Sequence, residues 1–136
     1  MDQAGCVREL TTGYVALGDS QRFPGYTLLL CKTHATELHH LPPKTRDLFL
    51  HEMAVVAEAV DMALHPDKLN YALLGAGRGL HMHWHIFHRR AGDTPRPGLA
   101  WQLPTEETND SKYTPTPETL ANMKRSRNAA LDQLLT

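Results

Sequence analysis

Three histidines alternate with large apolar residues in the segment His81-Met82-His83-Trp84-His85. In a β-strand, side chains at alternate positions point to the same face, about 6.5–7 Å apart. The three imidazoles are therefore expected to form a row on one face of a strand, with Met82, Trp84 and Ile86 on the opposite, buried face. Imidazole can bind a metal, carry a proton or attack as a nucleophile near neutral pH, so this row is the first candidate for a reacting centre.

Two chemistries suit such a row, and a histidine stripe with only a packing or solvent-facing role is the structural alternative. Three neighbouring histidines on a flat strand rarely converge on one tetrahedral metal ion, and no carboxylate or cysteine lies near them in the sequence. We therefore expect no metal and no other cofactor. In the second chemistry, a neutral imidazole attacks phosphorus and carries the transferred group covalently. His83 lies between two histidines that can orient it and pass protons, so it is the predicted nucleophile.

A glycine-rich link precedes the histidine row and contains Gly75, Gly77 and Gly79. A flexible backbone can turn its N–H groups towards an anion, and Arg78 can add a guanidinium suited to phosphate. Gly77 and Arg78 are therefore candidate phosphate-binding residues. A simple hairpin turn explains the glycines nearly as well, so the link supports a phosphate site without deciding it.

The elements that must position this row follow from the apolar pattern of the chain. One amphipathic helix is predicted from the two prolines before residue 44 to about residue 64, because its apolar positions are spaced by four, three, four and three. A second is predicted to begin at Thr116-Pro117-Glu118, with Thr116 as N-cap. The stretch between residue 90 and that start is predicted to be irregular. Strands are predicted as a hairpin over residues 7–17 and then at Tyr26–Cys31, Leu69–Leu74 and Leu80–Phe87.

The element order β-β-β-α-β-β-loop-α is typical of an α+β protein with a mostly antiparallel sheet. The 136 residues are interpreted as a single domain, 1–136. A formal net charge of −1 argues against a duplex-binding protein, so no nucleic-acid partner is expected. Cys6 and Cys31 form no CxxC pair, and no secretory signal or spanning apolar run is visible. We therefore predict a cytoplasmic protein with reduced thiols and no membrane partner.

Several segments together resemble the histidine triad (HIT) superfamily. The histidine row at residues 81–85 continues into Ile86-Phe87, and together they match the family pattern of histidines alternating with hydrophobic residues. Residues 69–75 match the family segment that precedes this pattern. The family's segment leading to the site resembles Phe23-Pro24-Gly25 followed by Lys32-Thr33-His34. Residues 89–101 resemble the tail of short bacterial HIT hydrolases, a group that includes diadenosine polyphosphate hydrolases. The resemblance implies a HIT-like fold: a mostly antiparallel five-stranded sheet, one long central helix and a C-terminal helix, usually as a homodimer.

The resemblance also assigns roles to individual residues. His83 would carry the nucleotidyl group, His81 would help to orient it, and His85 would contact the α-phosphate or the leaving oxygen. Asn70 matches a polar family residue that touches the substrate near phosphate, and His34 matches a fourth histidine kept by some branches. From its turn position, Phe23 is a candidate for stacking on the base, although packing within the turn is the preferred interpretation.

Three positions depart from the family pattern. Ala76 stands where many relatives have asparagine, the link before His81 is one residue longer, and His88 replaces a proline. The first two departures affect the predicted phosphate contacts. His88 is interpreted as structural, because it belongs to the strand face opposite the histidine row.

The resulting functional prediction is a nucleotide hydrolase acting on a purine nucleotide. It would cleave at the α-phosphate of dinucleoside polyphosphates or nucleoside phosphoramidates through a covalent nucleotidyl-histidine. A nucleotidyltransferase or phosphorylase of the same superfamily differs only in the acceptor and remains an alternative. A nucleotide-binding regulator with weak catalysis, favoured by Ala76, and a metal-dependent protein are the other hypotheses.

Overall fold

The computed structural model describes residues 5–74 and 81–135, which form one antiparallel sheet and three α-helices. The sheet order is β1-β2-β3-β5-β4, and every neighbouring pair is antiparallel. The predicted α+β arrangement of five strands, a long central helix and a C-terminal helix is confirmed. The strands are Cys6–Glu9 (β1), Gly13–Leu17 (β2), Thr27–Cys31 (β3), Lys68–Leu73 (β4) and His83–Arg89 (β5), and the α-helices are Pro43–Leu64 (α1), Thr105–Thr108 (α2) and Pro117–Leu135 (α3).

The hydrophobic core lies between one face of the sheet and the two long helices. Alternate residues of β3 and β5, such as Leu29 and Ile86, are fully buried against this core. Phe49 and Val60 contribute from α1, and Leu131 from α3. Because side chains alternate along a strand, the other residues of β3 and β5 point to the opposite face of the sheet. The histidine row lies on that second face.

The ends of the two long helices follow local chemistry. Pro43 is the first residue of α1, where a missing N–H and a fixed φ cost the helix nothing. The helix ends at Leu64, and the C-cap residue His65 adopts the left-handed conformation with φ of 51°. At the start of α3, the Thr116 hydroxyl oxygen accepts a hydrogen bond from the Thr119 N–H at 3.1 Å. The predicted N-cap is therefore confirmed.

The last strand is displaced relative to the prediction. Strand β5 runs from His83 to Arg89 instead of ending at Phe87, because Lys68 of β4 pairs with Arg89. Leu80, its predicted start, lies outside the described residues, and His81 precedes the strand. Residues 90–116 follow an irregular path interrupted by α2 and by 3-10 turns at 100–102 and 111–113. None of the helices in the described segments is long and apolar enough to span a membrane.

Candidate active site

His83 is the first residue of β5. Its half-buried side chain lies on the face of the sheet away from the helices. Its Nδ1 lies 3.0 Å from the carbonyl oxygen of His81. A carbonyl can only accept, so Nδ1 must carry the proton and donate it in this hydrogen bond. In the neutral imidazole, Nε2 then holds a free lone pair. The backbone two residues earlier in the chain thus selects the tautomer that a nucleophile at Nε2 requires.

His81 is fixed in a similar way just before the strand. Its Nδ1 donates to the Cys31 carbonyl oxygen at 3.0 Å, which ties the segment before β5 to the end of β3. The His34 ring lies against the His81 ring, with centroids 4.9 Å apart and an interplanar angle of 26°. The structure therefore brings His34 beside the histidine row, although His34 and His81 are 47 positions apart in sequence.

His85 completes the row, with its ring centroid 4.7 Å from that of His83. Its Nδ1 lies 2.5 Å from the hydroxyl oxygen of Tyr26. Burial, and then the nearby charge of His83, lower the pKa of His85 from 6.5 to about 4. Burial, helped by Asp19, raises the pKa of Tyr26 above its usual value. Both side chains are therefore neutral at pH 7, and one hydrogen bond joins an imidazole to a phenol.

The contact between Tyr26 and His85 was not predicted from the sequence. Tyr26 immediately precedes β3, and its ring stacks on Phe87 with centroids 4.4 Å apart and an interplanar angle of 3°. Thr27 pairs with Ile86, so Tyr26 faces the same side of the sheet as His85 and Phe87. The alternation of Tyr26, Leu28 and Leu30 would have indicated this face, but only once the pairing of β3 with β5 was known.

An aromatic cavity of about 240 Å³ adjoins His85. Tyr26 and Phe87 form its wall on the sheet side, and Trp101 and neighbouring residues of the 100–109 segment form the other. Phe23 also contributes to the lining, but it is only 2% exposed and packs edge-on against Phe87 with centroids 5.8 Å apart. The packed interpretation of Phe23 thus agrees with its position, and a stacking contact with a base stays a prediction.

Asn70 lies in β4 opposite Phe87 and belongs to a network of polar side chains. Its Oδ1 accepts a hydrogen bond from Arg89 Nη1 at 3.0 Å, while Arg89 Nε and Nη2 donate to the Asp93 carboxylate at 2.8 and 2.9 Å. The hydrogen bonds from Arg89 hold the pKa of Asp93 below its usual value. The guanidinium also lies 4.9 Å from the Phe23 ring centroid. Asn70 thus helps to hold the wall of the site, and its contact with substrate stays a prediction.

The remaining predicted phosphate-binding residues, Gly77 and Arg78, lie outside the described residues, as do Gly75, Ala76 and Gly79. Within residues 5–74 and 81–135, no group of three or more histidine, cysteine, aspartate or glutamate side chains is placed to hold a metal ion. His88 is 6% exposed on the opposite face of β5, where the sequence placed it as a structural residue.

Comparison with known protein families matches the HIT domain to residues 6–92, which include all five strands and the histidine row. The chain belongs to the HIT family. Membership supports a nucleotide-binding or hydrolase type of function for this HIT protein. No curated protein matches it closely enough to count as a relative.

Solved structures of other HIT proteins resemble this one over nearly their whole length. A histidine triad protein from Marinobacter aquaeolei VT8 is 25% identical with a TM-score of 0.77, over 95% of this chain and 89% of its own. A zinc-bound histidine triad family protein from Mycobacterium smegmatis is 26% identical with a TM-score of 0.66, over 98% of this chain and 87% of its own. The fold is shared with a hypothetical histidine triad nucleotide-binding protein from Sulfolobus tokodaii strain7. That protein is 18% identical with a TM-score of 0.71, over 96% of this chain and 85% of its own.

Proposed function

We propose that this HIT protein is a nucleotide hydrolase that cleaves purine nucleotides at the α-phosphate, with His83 as a covalent nucleophile. The observation that supports it most directly is the hydrogen bond from His83 Nδ1 to the His81 carbonyl. With Nδ1 as the donor in that bond, Nε2 is the nitrogen that can attack, on the face of the sheet away from the helices. Dinucleoside polyphosphates and nucleoside phosphoramidates are the proposed substrates.

The reaction would proceed in two displacements at phosphorus. The Nε2 lone pair of His83 forms a bond to the α-phosphorus, and the bond from phosphorus to the leaving oxygen or nitrogen breaks with its electron pair. Water then attacks the same phosphorus, and the N–P bond breaks with its electron pair returning to Nε2. The proton that water loses passes to the leaving group of the first step, and nucleoside monophosphate and neutral His83 are released. Dividing one difficult displacement into two easier ones is the general advantage of covalent catalysis.

His85 would act as a neutral hydrogen-bond donor to the phosphate or to the leaving atom. In the tautomer that this role requires, the Tyr26 hydroxyl donates to Nδ1 and the single ring proton of His85 resides on Nε2. The pKa of about 4 supports this role, because His85 remains uncharged over the whole neutral range. A preorganised donor of this kind stabilises charge that develops in the transition state.

The aromatic cavity beside His85 is the proposed site of the nucleoside. Tyr26, Phe87 and Trp101 offer flat apolar surfaces, to which a purine ring is complementary. Its position next to His85 would place the α-phosphate over the row when the base is bound. A homodimer, which the family resemblance implies, remains a further expectation.

Mass spectrometry of the protein mixed with an adenosine phosphoramidate tests the proposal. Wild-type protein is expected to gain the mass of an adenylyl group on the peptide that contains His83 and to release AMP. His83→Ala should show neither the adduct nor turnover, whereas His51→Ala, an exposed histidine of α1, should behave as wild type. Wild-type turnover by His83→Ala, or an adduct on a different residue, would contradict the nucleophile assignment.

A further inference from the structure

Basic side chains gather on the histidine-bearing face of the sheet, at the end away from the aromatic cavity. Leu30 of β3 pairs with His83, and Lys32 follows two residues later. The Lys32 N–H donates to the Thr12 carbonyl oxygen at 2.8 Å, so the pairing with the neighbouring strand continues to this residue. Strand alternation then puts the Lys32 side chain on the face of Leu30 and His83. The spacings within and between strands separate the α-carbons of Lys32 and His83 by about 8 Å.

Two contacts hold the Lys32 ammonium over this face. Nζ lies 5.2 Å from the ring centroid of Tyr14, which pairs with Leu30, and it donates to Glu9 Oε2 at 2.5 Å. The hydrogen bond with Glu9 raises the pKa of Lys32, so the ammonium is charged at neutral pH. An ammonium has three donors, and an exposed ion pair contributes little free energy. Lys32 can therefore bind an anion that arrives beside it.

Glu52, the second acid near Lys32, is occupied elsewhere. It is 6% exposed, and its carboxylate accepts hydrogen bonds from the N–H groups of Thr11 and Thr12 at 3.0 and 2.8 Å. This carboxylate therefore holds the turn between β1 and β2. Glu9 is the acid that a ligand of Lys32 would have to displace.

His34 and His81 add imidazoles at the same end of the sheet. The His34 side chain is exposed, and within residues 5–74 and 81–135 neither of its ring nitrogens has a hydrogen-bond partner. Its ring lies against His81, the residue level with Lys32 across the β3–β5 pair. An imidazole can take up a proton near neutral pH, and a neighbouring anion favours that form. Lys32, His34 and His81 together are called the basic cluster below.

We propose that the basic cluster binds the leaving group of the reaction, and that this leaving group is a polyphosphate chain and not an amine. The inference rests on the proposed hydrolase function and narrows its substrates to dinucleoside polyphosphates. The aromatic cavity adjoins His85 and Phe87, towards the end of β5. A nucleotide with its base there and its α-phosphate at His83 extends its other end towards His81 and Lys32.

The charge that develops in the first displacement favours such a cluster. As His83 Nε2 bonds to the α-phosphorus, the bond from that phosphorus to the bridging oxygen breaks, and its electron pair stays on the oxygen of the departing chain. The departing chain therefore gains negative charge next to Lys32 and His34, where cationic donors stabilise it. A phosphoramidate releases a nitrogen that takes up a proton and departs as an amine. It offers the cluster no such anion.

Two substrates that differ only in the leaving group test the proposal. Diadenosine tetraphosphate and adenosine phosphoramidate share the adenosine and the α-phosphorus, so the ratio of their kcat/KM values isolates the leaving-group contacts. Lys32→Met should lower kcat/KM for the tetraphosphate about tenfold and change that for the phosphoramidate by less than about twofold. His34→Gln should act in the same direction. Glu9→Gln should raise kcat/KM for the tetraphosphate, because it frees the ammonium from its acidic partner.

Matched variants separate a leaving-group contact from a structural effect. Lys32→Arg keeps the charge and should retain the wild-type ratio. Lys112→Met is the control, because Lys112 Nζ also lies 5.2 Å from a tyrosine ring centroid, that of Tyr113, but in the 111–113 turn. It should leave both substrates unaffected.

The possible failures are distinguishable. An unchanged ratio in Lys32→Met and His34→Gln, whether both activities fall together or neither falls, would overturn the leaving-group assignment and leave the hydrolase proposal standing. Wild-type protein that cleaves the phosphoramidate but not the tetraphosphate would do the same. Wild-type protein that cleaves neither substrate would refute the hydrolase proposal, and this inference with it.

Discussion

Removing the Tyr26 hydroxyl should impair catalysis while leaving the architecture of the site in place. Tyr26→Phe loses the 2.5 Å hydrogen bond to His85 Nδ1 but retains the ring that stacks on Phe87 at 4.4 Å. Without that donor, the proton of His85 is no longer directed to Nε2. The bond is partly buried and joins two neutral groups, so its loss should cost about 1 kcal/mol of folding stability.

The catalytic effect should exceed the effect on stability. If orientation and tautomer of His85 contribute about 1.5–2.5 kcal/mol to the transition state, kcat falls by about 10–100-fold. KM should change little, because the aromatic surface of the cavity is unchanged. The pKa of His85 is low mainly because of burial, which Phe preserves, so the pH profile should keep its shape.

Steady-state hydrolysis of an adenosine phosphoramidate between pH 5 and 8 measures these quantities. Nitrogen NMR of the His85 ring reports the tautomer directly, with Nε2 protonated in wild type and a mixture of tautomers in Tyr26→Phe. Tyr14→Phe is the matched control, since Tyr14 lies in β2 and contacts Lys32 instead of a histidine. A kcat of Tyr26→Phe within about twofold of wild type would refute the positioning role.

Three further outcomes follow from the same contacts. The pKa of His85 falls from 6.5 to about 4 on folding, so between these values the unfolded chain binds a proton that the folded chain does not. Tm should therefore decrease as pH is lowered through this window, and His85→Gln should make that decrease shallower. Asp93→Asn removes the carboxylate that binds Arg89 and should lower the free energy of unfolding in urea by about 2 kcal/mol, whereas Asp47→Asn, in an exposed ion pair, should change it by under about 0.5 kcal/mol. Trp101→Ala should raise KM for the nucleotide about tenfold with little change in kcat, because it lines the aromatic cavity; an unchanged KM would argue against nucleoside binding there.

Local sequence patterns predicted most of the framework. The four-three spacing of apolar residues located α1, which begins at Pro43 as expected. The N-cap at Thr116 depends on atoms three residues apart, so it too could be inferred from the sequence. The end of β5 was placed two residues too early, because that boundary depends on pairing with β4 rather than on the composition of β5 itself.

The contacts at the candidate site also divide into local contacts, which the sequence pattern predicts, and contacts between distant segments, which it does not. The sequence placed His83 and His85 on one face of a strand, and the hydrogen bond of His83 to the His81 carbonyl links residues two positions apart. Asn70 was assigned to the substrate on family position, but its side chain is held by Arg89 across the β4–β5 pair. No spacing rule identifies such a partner, because it depends on the register of the two strands.

The sequence alone determined that an imidazole row faces away from a buried apolar row, since strand alternation is a property of neighbouring residues. It could not determine that Tyr26 holds His85, or that Arg89 holds Asn70. The first contact joins residues 59 positions apart, and the second joins residues 19 positions apart on two paired strands. Both depend on which distant segments meet on folding, and that is decided by the burial of the whole core.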